Sequence, residues 1–548
     1  MKKILKQKVL IPVLALILLL TGSAFKSYNN DFFEIAKQIE IFTTLFKELN
    51  MNYVDETNPA DLMDNAIKNM LNELDPYTKF YNEQDVEAAR IKRTGDYTGV
   101  GAQVRILKDK LVIIEPYKDY PADKAGLKAG DEIIEIDGQV VADFKDDAGN
   151  LLNGAPNSTA EITYVRQGRT AKTTVKRNEI EINAVPHFSM INPTTGYIVL
   201  SKFNEKASQQ TGYALKDLKA QGAKGIILDL RGNPGGLLNE AVNVVNLFVP
   251  KEQLVVTTKS KVKKYNRTYY TKRLPIDTEI PVVVLINGSS ASASEIVSGT
   301  LQDLDRGVVV GARSFGKGLV QRPKKLTYGT QLKVTISRYY TPSGRCIQAL
   351  DYWNKDDKGK AVRVKQKDYN VFKTKNGRKV FDGGGVFPDE ALEYSKNSAI
   401  TKAILSNQSV FDYATKYYYN HTNIGDINNW KLTDSDFNAF KNFLKTSDFS
   451  LETDTEKFLS KALEIAKTEN LDDDIQRDYN VLIKNLNQSK LKAVDDNKSQ
   501  LMSLISDEII KRYVYREGLY EYYKLHNNEI KKATEILANP AKYKGYLK

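Results

Sequence analysis

Between residues 196 and 310 the chain repeats one unit: a short apolar run, a turn of glycine or small residues, then an amphipathic stretch. The spacing predicts strands over 196–203, 225–230, 281–286 and 308–310, with helices over 206–221, 237–248 and 291–304. This βα alternation is the pattern of a layered α/β domain.

Two of its turns carry unusual chemistry. The strand ending at Ile286 runs into Asn287-Gly-Ser-Ser-Ala-Ser292-Ala-Ser-Glu295 and then an apolar helix. A serine at a strand-to-helix turn sits beside the free N–H groups and positive end of the helix, where a nucleophile can work and an oxyanion can be held. Taken alone, the run reads first as a helix cap or a small-residue packing surface. Asp229-Leu-Arg-Gly-Asn-Pro-Gly235-Gly236 ends another buried strand. Its paired glycines admit close approach of backbone amides to a ligand, or simply make a tight turn.

A third segment, Arg313-Ser-Phe-Gly316-Lys317-Gly318-Leu-Val-Gln321, places one lysine between glycines after an apolar strand. Burial disfavours an ammonium and lowers its pKa, and a desolvated lysine is a general base for a serine hydroxyl. A solvated loop lysine or a phosphate contact is the plainer reading, but no GxxxxGK[ST] pattern precedes it.

Composition narrows the chemistry. The 548 residues contain one cysteine, Cys346, and three distant histidines, His187, His421 and His526. Internal disulfides, cysteine-rich zinc sites and iron–sulfur clusters are excluded, and no HExxH spacing occurs. A net charge of +12 is spread along every segment. Without a compact basic motif carrying interleaved aromatics it does not point to nucleic acid, whereas an acidic membrane surface suits it.

The length implies several domains. Lys2, Lys3, Lys6 and Lys8, the apolar run from Val9 to Leu20 and the small residues Thr21 to Ala24 have the form of an export signal over residues 1–24. Export to the periplasm is expected if the cell is Gram-negative, with an uncleaved anchor as the other outcome. No cysteine near the cleavage point allows lipid attachment. Residues 25–90 show helical periodicity, as in Ile35, Ile39, Phe42, Leu45, Phe46 and Leu49. Residues 91–178 read as a compact module of short strands, 179–400 as the α/β core, and 401–548 as a charged helical extension. Leu501, Leu504, Ile505, Ile509, Ile510 and Tyr513 form one apolar stripe in that extension.

Together the NPGG, SASAS and FGKG segments, in that order within roughly 35–400, resemble the C-terminal processing proteases, the tail-specific members of the carboxyl-terminal peptidase family. The resemblance implies a crotonase/ClpP-like layered core and a serine endopeptidase that needs no metal or cofactor. It places the nucleophile at Ser292, the base at Lys317 with support from Gln321, and the oxyanion amides at Ala293 and Gly236. Asp303 takes a supporting position. The module over 91–178 resembles a PDZ domain, with Thr98, Gly99, Val100 and Gly101 as the loop that binds a peptide carboxylate while the peptide extends the sheet edge. Substrates would be proteins or peptides with free C-termini; the helical extension would meet an adaptor, a second copy or a membrane. A catalytically silent PDZ scaffold, and a small-molecule acyl transferase or hydrolase on the same layered fold, remain the alternatives.

Overall fold

A computed structural model describes residues 32–107, 110–357, 359–392, 398–446 and 454–548. The segment over 1–24 that is expected to be an export signal lies outside the described residues. No helix among the described residues is long and apolar enough to cross a membrane. The chain divides into two compact units, residues 1–80 and 81–548. In the first, residues 32–52 form a helix. Pro59–Asn72 forms another, started by the Asn58 side chain, which accepts from the Ala60 and Asp61 amides.

The second unit begins with a helix, Glu83–Thr94, ended by Gly95 in the left-handed region at φ 82°. Next comes a small antiparallel sheet in the order Ala102–Leu107, Lys110–Pro116, Glu132–Ile136, Thr159–Arg166, Arg169–Lys176. Leu111, Ile113, Leu127, Ile133, Ile136 and Ile162 make its core. Ala102–Leu107 is an edge strand, and the 3-10 segment Val141–Leu152 runs beside it, close enough that a Cβ on Gly149 would stand 3.5 Å from Val104.

The larger sheet is built from β1 (His187–Asn192), β2 (Thr195–Val199), β3 (Gly225–Asp229), β4 (Val282–Ile286), β5 (Val308–Gly311) and β6 (Glu390–Ala391), in that order. β1 is antiparallel to β2, and the other pairs are parallel. Helices α1 (Ala207–Ala220), α2 (Leu238–Asn246) and α3 (Ala293–Asp303) are the crossovers. Each expected strand and helix over 196–310 is found, with its ends within a few residues.

Strand side chains alternate between two cores, which is why the runs are apolar throughout. Ile198, Ile226, Leu228, Val282, Val284 and Ile286 pack under the three crossover helices. Tyr197, Val199, Ile227, Val283, Leu285 and Val308 face the opposite way. That second face is covered by the end of the chain. The helical extension contains α4 (Lys498–His526), α5 (Asn528–Ala538) and α6 (Pro540–Tyr546). Ile530, Ala533 and Ile536 of α5 and Tyr543 of α6 are buried against the sheet, and the Val282 amide donates to the Tyr543 hydroxyl at 3.0 Å. The last twenty residues are therefore a layer of the core. The expected stripe packs within the extension: Leu501, Ile505 and Ile509, with Leu504 and Tyr513 beside them, join Ile404, Val410, Phe437 and Phe440, and Ile510 packs with Leu519 and Tyr522.

A further antiparallel ladder runs Leu319–Lys325, Gln331–Tyr340, Leu254–Lys259, Arg267–Tyr270. It carries Gln321 and Tyr339 to the crossover-helix side of the large sheet.

Candidate active site

β4 enters the turn that begins α3 at Ser292, whose backbone is left-handed with φ 56° and ψ −111°. A non-glycine residue there is strained and needs neighbours to hold it. Glu295 does so. Its buried carboxylate accepts from the Ser292 amide at 2.7 Å and the Lys317 amide at 2.9 Å on Oε2, and from the Gly316 amide at 2.7 Å and the Ser314 hydroxyl at 2.5 Å on Oε1. One carboxylate oxygen thus fixes the backbones of Ser292 and Lys317 together. Burial pushes the Glu295 carboxyl up from its ordinary value, and the four donors oppose that displacement. From the other side the Tyr339 hydroxyl donates to the Ser292 carbonyl at 3.1 Å.

The other serines of the run have structural duties. Ser290 donates to the Leu230 carbonyl at 2.8 Å and Ser294 to the Asn233 carbonyl at 2.9 Å, both fully buried. They bind the serine turn to the turn after β3. Ser292 instead lines a cleft of about 690 Å3, with Lys317, Gln321, Ala293 and Gly236 in the same walls. Lys317 is half-buried. Gln321 donates to the Thr335 hydroxyl at 3.2 Å, across its own ladder. Ser292 stands at the N-cap of α3 in a capping box with Glu295 and also lines the cleft, so the capping reading and the cleft position hold together.

The glycine turn touches the serine turn directly. A Cβ on Gly235 would lie 2.7 Å from the Ala291 carbonyl oxygen and 2.9 Å from the Ala293 nitrogen, and one on Gly236, at φ 151°, would lie 2.2 Å from the Phe203 carbonyl oxygen. The Gly235 amide is used internally, donating to the Asn233 side chain at 2.9 Å. Among the described residues no acceptor engages the amide of Gly236 or of Ala293. Arg231 holds the start of this turn: it chelates Asp229, whose Oδ2 also accepts from Tyr197, and reaches Asn527 and Glu529 of the extension at 2.8 and 3.4 Å.

Asp303 lies away from the cleft, in a fully buried ion pair with Arg345 at 2.8 Å. Cys346 and the three histidines do not line the cleft either.

In the small module, Thr98 and Gly99 belong to a ribbon, Asp96–Gly99 paired with Asn178–Glu181. The Val100 and Gly101 carbonyls accept from Ala122 at 2.7 Å and Tyr117 at 2.9 Å. Gly101 has φ 75°, and a Cβ there would meet Tyr120 at 2.6 Å. These four residues lead straight into the open edge strand Ala102–Leu107.

Sequence reasoning passed over Glu295 and Tyr339. The Ser292-x-x-Glu295 spacing, a capping-box pattern, is the signal that marks the first. Tyr339, distant in sequence, offers none.

Residues 194–352 match Peptidase family S41, residues 98–176 a PDZ domain, and residues 400–537 the C-terminal helical domain of probable PDZ-proteases. A carboxy-terminal-processing protease of Bartonella bacilliformis is 36% identical over 321 residues, 57% of this chain and 73% of that one. Carboxy-terminal processing protease CtpB of Bacillus subtilis is 31% identical over 339 residues, 61% of this chain and 69% of that one. Among solved structures, the photosystem II D1 C-terminal processing protease is 28% identical, covering 64% of this chain and 86% of its own, with a TM-score of 0.36. With the serine, lysine and glycine turns gathered in one cleft beside a PDZ domain, the chain belongs to the carboxy-terminal-processing proteases of peptidase family S41.

Proposed function

We propose that this serine peptidase uses Ser292 and Lys317 to hydrolyse peptide bonds near the C-termini of protein substrates. The observation that carries the reading is the shared Glu295 oxygen, which sets the two residues in register at the mouth of one cleft. Lys317, in its neutral form, takes the Ser292 hydroxyl proton as Oγ attacks the scissile carbonyl. The negative oxygen that forms is held by the Ala293 and Gly236 amides. Collapse breaks the C–N bond, the Lys317 proton passes to the leaving amine, and an ester on Ser292 remains. Water, losing a proton to Lys317, attacks the ester and frees the acid. Gln321 positions Lys317 from its strand. The parallel sheet with a nucleophile at the start of a crossover helix supports a crotonase/ClpP-like core.

The PDZ domain would take the substrate's C-terminal carboxylate at Val100–Gly101 and add the peptide to the Ala102–Leu107 edge. The basic n-region and short apolar run of residues 1–24 support export, with the periplasm as the address. In the extension, Phe458, Ile465, Val481 and Leu482 are exposed and would meet an adaptor, a second copy or a membrane surface.

The test is digestion of an unstructured protein, followed by mass spectrometry, with the chain from Phe25 onward and its Ser292→Ala and Lys317→Ala forms. Cutting by the unaltered form alone is expected; equal cutting by all three would overturn the assignment.

A further inference from the structure

The active-site cleft carries one sign of charge. Lys92, Lys202, Lys317 and Lys333 line it and no carboxylate does. Lys92 is exposed and Lys333, half-buried, stands over the Tyr81 ring at 5.9 Å; both raise the local concentration of anions. Lys202 is different. It sits in the segment that follows β2, and that segment is fastened to the glycine turn: Phe203 donates to the Gly235 carbonyl at 3.1 Å, and Leu237 donates to the Phe203 carbonyl at 2.8 Å. Lys202 therefore holds a fixed place relative to Gly236 and the bond to be cut.

Its own charge is uncompensated. Among the described residues Lys202 makes no ion pair. The charged group whose field reaches it is another cation, Arg516, itself paired with Glu115. Burial and Arg516 pull the Lys202 ammonium down to about 8. It is still mostly protonated at neutral pH. A half-buried cation without an anion is costly, and a carboxylate brought against it forms a charge-assisted hydrogen bond in a partly dry site. Lys202 also lines a second cavity, of about 980 Å3, between the PDZ domain and α4, so it stands where that space and the cleft adjoin.

We propose that Lys202 is a specificity residue that takes a carboxylate of the substrate close to the scissile bond, either an acidic side chain or the chain's own terminal carboxylate. This rests on the reading of the cleft as a peptidase site. It adds to the PDZ domain a second, independent point of anion recognition, placed at the bond that breaks.

The experiment uses quenched-fluorescent peptides of one sequence, with Glu or Gln at successive positions flanking the cleaved bond, each as free acid and as amide. In the unaltered protein one position should show kcat/KM about tenfold higher for Glu than for Gln, the worth of one charge-assisted hydrogen bond. Lys202→Gln should bring that ratio to about one, and Lys202→Arg should keep it. If Lys202→Gln instead removes part of the acid-over-amide ratio, the terminal carboxylate is the group held. The same ratios are read as Kd by fluorescence anisotropy in the Ser292→Ala background, which needs no turnover. Cleavage whose Glu/Gln and acid/amide ratios ignore Lys202 overturns the carboxylate site and leaves the peptidase reading intact. Lys202-dependent binding without any cleavage does the reverse.

Discussion

Glu295→Gln tests the site at its least exposed point. The carboxylate accepts four hydrogen bonds, two on each oxygen, and an amide can accept on one oxygen only. The better orientation keeps the oxygen towards the Ser292 and Lys317 amides. Its NH2 then faces the Gly316 N–H, donor against donor, while the Ser314 hydroxyl can turn to accept. One buried amide loses its partner and the remaining bonds lose their charge, a cost of about 2–4 kcal/mol. Relief comes by moving the glycine loop, and Lys317 moves with it. A displacement near 1 Å lowers turnover by about a hundredfold. Urea unfolding measures the first quantity, and kcat on a peptide substrate the second, with KM little altered. Burial drives this carboxyl towards its neutral form. A protonated Glu295 would resemble Gln closely. Unchanged stability with unchanged kcat would refute the four-donor clamp.

Gly236→Ala forces a Cβ to within 2.2 Å of the Phe203 carbonyl oxygen, so the turn must shift and with it the amide proposed to hold the oxyanion; kcat should fall by about 10²–10³, read on the same peptide. Ile536→Ala removes a fully buried side chain from the second face of the large sheet and should cost about 2–5 kcal/mol in urea unfolding. Asp507 is raised from 3.8 to about 6 by burial, against a hydrogen bond from Tyr523 and the cations Lys511 and Arg231, and with Glu508 adding to the rise. A folded value above the unfolded one means stability that is complete below about pH 4 and lost as pH rises through 6. Asp507→Asn should therefore stabilise the protein at pH 8, by up to about 3 kcal/mol, and should give no gain at pH 4. Arg516→Ala breaks the partly exposed pair with Glu115 and should raise amide hydrogen exchange over Lys110–Pro116, for a loss of about 1 kcal/mol.

The fold of residues 196–310 was legible because each strand is short, apolar and followed by turn chemistry that only one element type can continue. The cleft residues were legible because Ser292, Lys317 and the glycines are unusual in their positions. What escaped was whatever depends on distant partners. Glu295 is quoted in any reading of the serine turn, yet only the fold reveals that its carboxylate also holds Gly316 and Lys317, more than twenty residues on. Ile530, Ile536 and Tyr543 look like any amphipathic helix; nothing local says that their apolar face belongs to a sheet begun more than three hundred residues earlier. Thr98 and Gly99 look like a free loop because their ribbon partner, Asn178–Glu181, is some eighty residues away.

The same dependence explains why the extension cannot be an accessory. Without α5 and α6, the face formed by Tyr197, Ile227, Val283 and Leu285 would be open to water, and a parallel sheet needs both faces covered. Asn527, which caps α5, is also the residue that holds Arg231, and through Arg231 and Asp229 it holds the turn bearing Gly236. About three helical turns upstream, α4 reaches the PDZ domain, with Arg516 on Glu115 and the Tyr515 hydroxyl donating to Asp123 at 2.6 Å. At that point the helix is broken, with Tyr515 at φ 58° and ψ −171°, a conformation that a tyrosine keeps only where its surroundings impose it. The segment from Tyr515 to Asn527 therefore ties the PDZ domain to the glycine turn of Gly235 and Gly236 through about a dozen residues, with the irregular residue of α4 standing at the PDZ contact.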